Sequence, residues 1–288
     1  MNLQAYLKDR RTLVEAALDA ALPTETERPE TLHRAMRHSI FAGGKRLRPI
    51  LCLAAAEACG GSLDAAMPLG VAIECLHTYT LIHDDLPCMD DDDFRRGNPT
   101  CHKVFGDGIA VLAGDALQAL AFEICGGQPR GGEFARELAE TSGSRKLVGG
   151  QVLDLEGESK QLTLEELKFV HLSKTAALLT TTVRFGAMSA GASDEQLLAL
   201  TDFGQACGLA FQIIDDILDV TQSSEQLGKS AGKDEASDKS TFPALLGLDA
   251  SREEARRLTE RAKADLEIFG ERGEALGALA NYLLDRDY

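Results

Sequence analysis

Apolar residues recur at three- and four-residue spacing through Leu13–Leu22, Leu47–Cys59, Leu69–His83, Ile109–Cys125, Glu133–Val152, Leu164–Gly191, Glu195–Val220 and Glu253–Phe269. That period puts them on one face of a helix, and the alternation expected of a half-buried strand is almost absent. Thr163 with Glu166, Ser193 with Gln196 and Ser251 with Glu254 have capping-box spacing, in which a hydroxyl and a carboxylate or amide satisfy orphan backbone N–H groups. Gly60-Gly61, Gly126-Gly127 and Gly131-Gly132 follow helical stretches and read as helix stops. The pattern predicts an all-α bundle. Two segments lack it, Leu86–Gly108 and Thr221–Pro243, and long non-helical connections in compact domains usually carry function.

The chain of 288 residues, 44% apolar, can bury a large core, and no repeat or linker divides it. A single domain over residues 1–288 is expected. The net charge is 30 − 46 = −16, which disfavours nucleic acid and anionic membrane surfaces as partners. No uninterrupted apolar run approaches the roughly 18 to 20 residues of a membrane span, and Met1–Asp19 carries charges throughout with no signal core. A soluble, unexported, cytoplasmic protein is expected. Its seven scattered cysteines form no Cys-x-x-Cys pair and read as reduced core residues.

Candidate chemistry concentrates in two acidic clusters. His83-Asp84-Asp85-Leu86-Pro87-Cys88-Met89-Asp90-Asp91-Asp92-Asp93 crowds carboxylates that repel one another without a counter-charge. Hard oxygen donors of this kind suit Mg2+, which commonly bridges to substrate phosphates. Phe211-Gln212-Ile213-Ile214-Asp215-Asp216-Ile217-Leu218-Asp219 sets further acids inside an apolar helix, with Asp215 and Asp219 four apart on one face. A purely structural network of paired acids is the competing reading.

Basic residues stand where an anion would need them. Gly43-Gly44-Lys45-Arg46-Leu47-Arg48-Pro49 leads into a helix N-terminus, so Lys45 and Arg48 flank a natural diphosphate site. Arg95 and Arg96 follow the first acidic run, and Lys229, Lys233 and Lys239 punctuate the loop after the second. His77 lies two helical turns before Asp84, about 20° away around the axis. Lys174 sits with Ser173 and Thr175 among apolar neighbours, where a charge needs a partner. Dinucleotide, P-loop, nucleophile-elbow and zinc-protease motifs are absent from the sequence.

In order along the chain, Gly43–Pro49, His77, Asp84-Asp85-x-x-x-x-Asp90 with Arg95-Arg96-Gly97, Lys174-Thr175, Phe211-Gln212, Asp215-Asp216-x-x-Asp219 and Lys239-Ser240-Thr241 resemble the trans-prenyl diphosphate synthases, in particular their bacterial farnesyl diphosphate synthase branch. The resemblance implies an all-α isoprenoid synthase bundle around a deep central cavity, acting as a homodimer. It implies head-to-tail transfer from dimethylallyl or geranyl diphosphate to isopentenyl diphosphate. By resemblance, Asp84, Asp90 and Asp215 hold Mg2+, three ions with the allylic substrate bound, while Asp85, Asp216 and Asp219 act behind them. Arg95, Lys174, Thr175, Gln212, Lys229 and Lys239 map to the allylic diphosphate, with Lys174, Thr175 and Gln212 near the developing cation, and Lys45, Arg48, His77 and Arg96 to the isopentenyl diphosphate. On an ideal helix Asp84 and Asp90 lie about 240° apart, so Pro87 is expected to end the helix and let Asp90 fold back.

Product length is a separate inference. Helix periodicity sets Thr80 nearer the Asp84 face, while Tyr79 as the floor of the elongation cavity rests on the resemblance. Related geranylgeranyl synthases carry a smaller residue at the Tyr79 position, so a C15 product is favoured over C20. A non-catalytic partner subunit of the same fold is the reading from a different class; its marks, loss of the second acidic motif or of the diphosphate-binding cations, are absent here.

Overall fold

The structure, a computed structural model, describes residues 1–157, 160–221 and 240–284. Its elements are α1 (Leu3–Ala21), α2 (Glu30–Ile40), α3 (Leu47–Ala58), α4 (Leu63–Asp84), β1 (Phe94–Arg95), β2 (Asn98–Pro99), α5 (Cys101–Phe105), α6 (Asp107–Gly126), α7 (Gly131–Ser142), α8 (Leu147–Gly157), α9 (Leu164–His171), a π-helical segment (Leu172–Ala176), α10 (Ala177–Ser189), α11 (Asp194–Thr221), α12 (Phe242–Leu246), α13 (Leu248–Ala264), a 3-10 segment (Glu267–Gly273) and α14 (Glu274–Leu284). The fold is all-α; among the described residues the only sheet is the antiparallel pair β1–β2. The chain forms two compact units, one of Asn2–Ile50 with Asp64–Ala135, the other of Leu51–Leu63 with Met1 and the chain from Arg136 on.

In the first unit, Val14, Leu18, Ile40, Leu69, Ile73, Leu76 and Leu117 are fully or almost fully buried and form the core. Gly70 lets α4 approach the first turn of α3, since a Cβ there would stand 3.3 Å from Pro49 Cα. In the second unit α11 is the central rod. Its Gly204 and Gly208 pack on backbone: added Cβ atoms would lie 2.7 Å from Thr180 Cα and 2.6 Å from Ala176 Cα, so no larger residue fits without displacing the neighbouring chain.

Several expectations are corrected. The helix expected over Glu133–Val152 breaks between α7 and α8, and that over Leu164–Gly191 contains the π segment. Leu86–Gly108 is not wholly irregular, since it holds the β1–β2 hairpin and α5. Ser251 caps nothing: α13 starts three residues earlier, behind Gly247, and the Ser251 hydroxyl donates to the Gly247 carbonyl at 2.8 Å. Gly131 opens α7 instead of stopping a helix, and Gly127 keeps right-handed φ at −76°. By length and composition α4, α6 and α11 are each apolar enough to cross a bilayer, although no uninterrupted run reaches that length, because their few polar residues are scattered. Within their most apolar windows α4 and α11 are 67% and 56% buried, whereas α6 is only 33% buried and exposes Val111 and Leu112.

Candidate active site

In the first unit, α4 ends at Asp84 and the chain turns back on itself. Asp90 N–H donates to the Asp84 carbonyl at 2.9 Å, Asp91 N–H to Leu86 at 3.1 Å, and Asp92 N–H to Asp85 at 3.3 Å. The expected fold-back is therefore present. The helix stops three residues before Pro87, whose ring disfavours helical backbone at Leu86. Asp84 is half-buried and Asp90 exposed.

Asp85 is different from its neighbours. It is buried and receives Arg95 through Nε at 2.8 Å to each carboxylate oxygen and Nη2 at 2.5 Å. Burial raises its pKa despite the guanidinium. Burial is the largest influence on Arg95 and opposes its charge, but the bond to Asp85 and the charges of Asp85, Asp84 and Asp92 together outweigh it and raise the Arg95 pKa. Arg95 is thus committed to Asp85 here, an engagement that spacing along the chain does not disclose. Asp93 pairs with Lys103 at 2.7 Å, which lowers its pKa. Donor atoms of Asp91, Asp93 and His102 lie within 4.8 Å of one another, a second group able to hold a cation.

Beside this turn lies a basic cluster. Arg48 Nη1 donates to His77 Nε2 at 3.1 Å, and Arg96 Nη1 donates to the Gly43 carbonyl at 2.5 Å. Gly44, at φ 128°, leaves room for Arg96, whose Nη1 would meet a Cβ there at 2.5 Å. Lys45 is exposed on the same loop. Desolvation, then Arg48, Arg96, Arg95 and Arg46, push the His77 pKa well below its ordinary value. Burial chiefly disfavours the charged imidazole, and the four arginines around it add a positive potential suited to an anion. Arg46 is spent on the fold instead. Its buried guanidinium binds Glu15, Glu74 and the Ile40 carbonyl and anchors the loop.

The second unit presents Lys174, Thr175 and Gln212. Lys174 and Thr175 belong to the π segment, a wider turn that occurs often at functional sites. Two glycines grip it. A Cβ at Gly150 of α8 would stand 2.5 Å from the Lys174 nitrogen, and one at Gly208 2.6 Å from Ala176. Lys174 Nζ bonds Asp154 at 2.7 Å, and the Thr175 hydroxyl donates to Gln212 Oε1 at 2.8 Å. One turn further along α11, Asp216 is buried, receives Phe242 N–H at 3.0 Å and meets His171 Nε2 at 3.1 Å. His171 in turn stacks on Phe242, with centroids 5.6 Å apart. Asp215 is half-buried, while Asp219 is buried with Asp216. Of this acidic motif Asp215 is the more accessible carboxylate, as a metal ligand must be. Lys229 and Lys239 lie outside the described residues.

Tyr79 is buried and Thr80 half-buried, with the Thr80 hydroxyl donating to the His77 carbonyl at 2.7 Å. Asp154, Gly150 and His171 escaped the sequence reading. The adjacent helical glycines Gly149-Gly150 were a signal, since each costs about 1 kcal/mol against alanine unless a close approach requires it.

Residues 29–271 match the Polyprenyl synthetase family. The chain belongs to that family. It is 49% identical over 294 residues to a dimethylallyltranstransferase of Fischerella ambigua, covering 100% of this chain and 84% of the relative. It is 50% identical over 295 residues to a chloroplastic geranylgeranyl pyrophosphate synthase of Catharanthus roseus, covering 99% and 82%. Among solved structures it resembles a putative farnesyl-diphosphate synthase from Marinomonas sp. MED121, with TM-score 0.86, 40% identity and 99% and 100% of the two chains covered. The chain is a prenyltransferase of the trans-prenyl diphosphate synthase kind.

Proposed function

We propose that the protein condenses dimethylallyl or geranyl diphosphate with isopentenyl diphosphate in a Mg2+-dependent reaction, releasing (2E,6E)-farnesyl diphosphate and diphosphate. The observation that carries this reading is the closed turn Asp84–Asp90 standing beside the Arg48–His77–Arg96 basic cluster. Oxygen-only donors fit Mg2+, which Asp84 and Asp90 would hold; Asp215 joins them on the family resemblance alone. Bound there, the ions would neutralise the departing allylic diphosphate.

The protein's own groups do the positioning. Lys45, Arg48 and Arg96, with the uncharged His77 as a hydrogen-bonding partner, bind the isopentenyl diphosphate as a cluster that needs no metal. Lys174 exchanges Asp154 for an allylic phosphate oxygen, with Arg95, Lys229 and Lys239 in support; all three of these enter on the family resemblance alone. The Thr175 hydroxyl, tied to Gln212, and the π-segment backbone lie toward the developing cation. The allylic C–O bond breaks, the isopentenyl double bond forms the new C–C bond, and the released diphosphate takes the proton.

A buried Tyr79 as cavity floor supports a C15 product. The alternative, C20, is favoured by the 50% identity to a geranylgeranyl pyrophosphate synthase. Exposed Val111 and Leu112 on the apolar α6 support a homodimer through that helix. Five of the seven cysteines are buried as expected, whereas Cys59 is half-buried and Cys88 exposed; burial raises Cys75, Cys125 and Cys207 to about 12, and the cytoplasmic setting remains the reading of the sequence. Mass-spectrometric product analysis with both substrates and Mg2+, beside a chelator control, tests the reading. Metal-dependent C15 diphosphate is expected; C20 would replace the Tyr79 floor, and no elongation would overturn the proposal.

A further inference from the structure

Tyr79 does not stand alone on α4. His83, one turn further on, meets its ring edge to face, with centroids 5.0 Å apart and planes at 81°. His83 is in turn pinned to α6, where Nε2–H donates to the Val111 carbonyl at 3.0 Å. Its ring lies directly over Gly114: a Cβ on that residue would stand 2.2 Å from Nε2, 2.5 Å from Cδ2 and 3.1 Å from Cε1. No side chain of any size can occupy position 114 while His83 keeps this seat. Glycine is disfavoured against alanine inside a helix, and here its missing side chain leaves the space that the imidazole fills.

The contact runs in one direction mechanically. Gly114 admits His83, the Val111 carbonyl fixes its orientation, and the fixed ring supports the flank of Tyr79. Aromatic side chains bury large areas but turn about two χ angles, so the bulk a Tyr presents depends on what holds it. Tyr79 is 8% exposed and close enough to Asp84 and Asp115 for their charges, after burial, to raise its phenol pKa. The brace therefore stands on the last turns of α4, within electrostatic reach of Asp84 where the aspartate turn begins.

We infer that Gly114 is a specificity-determining position for product length, acting through His83, which braces Tyr79 from the side of α6. The inference rests on the proposed elongation reaction and deepens it: the floor is a three-residue stack on two helices, and its height is set by a residue outside α4. A wall held by packing gives way in steps, because interiors are close-packed and a displaced ring must find another rotamer.

The test is product analysis of Gly114→Ala, Tyr79→Ala and the double variant, with isopentenyl and dimethylallyl diphosphates and Mg2+. Alanine at 114 should unseat His83 and raise the ratio of longer to wild-type product by about tenfold, as a change of about 1.4 kcal/mol in relative barriers would. Because the brace acts through the Tyr79 ring, the double variant should give no longer product than Tyr79→Ala alone, a non-additivity expected of residues in one contact chain. His83→Asn, too short to reach Tyr79, should lengthen the product likewise and carries the test if Gly114→Ala does not fold. Unchanged or shortened product in both Gly114→Ala and His83→Asn, or additive lengthening in the double variant, would overturn the inference. A wild-type protein that elongates nothing would instead remove the enzymatic reading itself.

Discussion

The backbone N–H of Asp90 donates to the carbonyl of Asp84 at 2.9 Å, so two residues six apart in sequence are neighbours across a closed turn. An unbroken helix would splay them about 240° apart. The turn makes them a pair, and the expected consequence is that both matter equally. Asp84→Ala and Asp90→Ala should each lower kcat/KM by about a hundredfold or more, or about 2.7 kcal/mol in the barrier, and raise the Mg2+ concentration needed for half-maximal rate. Asp93→Ala, run beside them, tests the neighbouring Asp91–Asp93–His102 group; a comparable loss there would transfer the metal role to it.

Lys174 is held by Asp154 at 2.7 Å, a charge-assisted bond that a diphosphate would replace under the proposed function. Lys174→Gln should raise KM for the allylic substrate and lower kcat by about a hundredfold together, because the cation serves both ground and transition states. Asp154→Asn keeps the shape but not the charge, and a smaller loss of about tenfold, confined mainly to KM, is expected. Steady-state kinetics with each substrate varied in turn separates the cases. An unaltered KM in Lys174→Gln would take the lysine out of the allylic site.

The long buried rods were legible because their apolar period is sustained: the helices read at Leu69–His83 and Glu195–Val220 lie within α4 and α11. Short or polar helices were not. In α2 the buried Met36 and Ile40 repeat at four residues, but Arg37 and His38 between them dilute the signal. Capping chemistry was right where a hydroxyl had no competing start, as at Thr163 with Glu166, and wrong at Ser251, where a glycine upstream begins the helix. For the site, the acid clusters and their basic companions could be read as motifs. Their partners could not: Asp85 with Arg95, Lys174 with Asp154 and His171 with Asp216 are separated by 10, 20 and 45 residues, and only packing decides which carboxylate is spent on the fold.

His77 gives the stability a pH dependence of known sign. Its folded pKa is depressed by desolvation and by Arg48, Arg96, Arg95 and Arg46, while the unfolded chain keeps the ordinary value near 6.5. Below that value the unfolded state binds more protons than the folded one, so stability rises with pH and falls on acidification, by up to about 1.4 kcal/mol per pH unit for this one group until the folded pKa is reached. Above about pH 7 the residue contributes no slope. Urea unfolding followed from neutral pH into the mildly acidic range should show a shallower loss in His77→Gln than in the parent. Parallel curves would mean that the histidine titrates normally in the fold.

Gly150 supplies the most local prediction. A methyl group at this position would stand 2.5 Å from the Lys174 nitrogen, 2.9 Å from its Cα and 3.0 Å from its Cβ, so the π segment itself would have to move. Backbone cannot yield as the end of a flexible side chain can, and overpacking of this kind costs about 1 to 3 kcal/mol. Helix propensity pulls the other way, since alanine improves on glycine in a helix interior by about 1 kcal/mol. The net expectation for Gly150→Ala is a modest loss of stability in urea together with a disproportionate loss of turnover, because the displaced atoms belong to Lys174 and lie next to the Thr175–Gln212 bond. Gly126→Ala, where an added Cβ meets nothing within 4 Å, is the matched control for a helical glycine. Equal kinetics in the two variants would show that α8 does not set the position of the π segment.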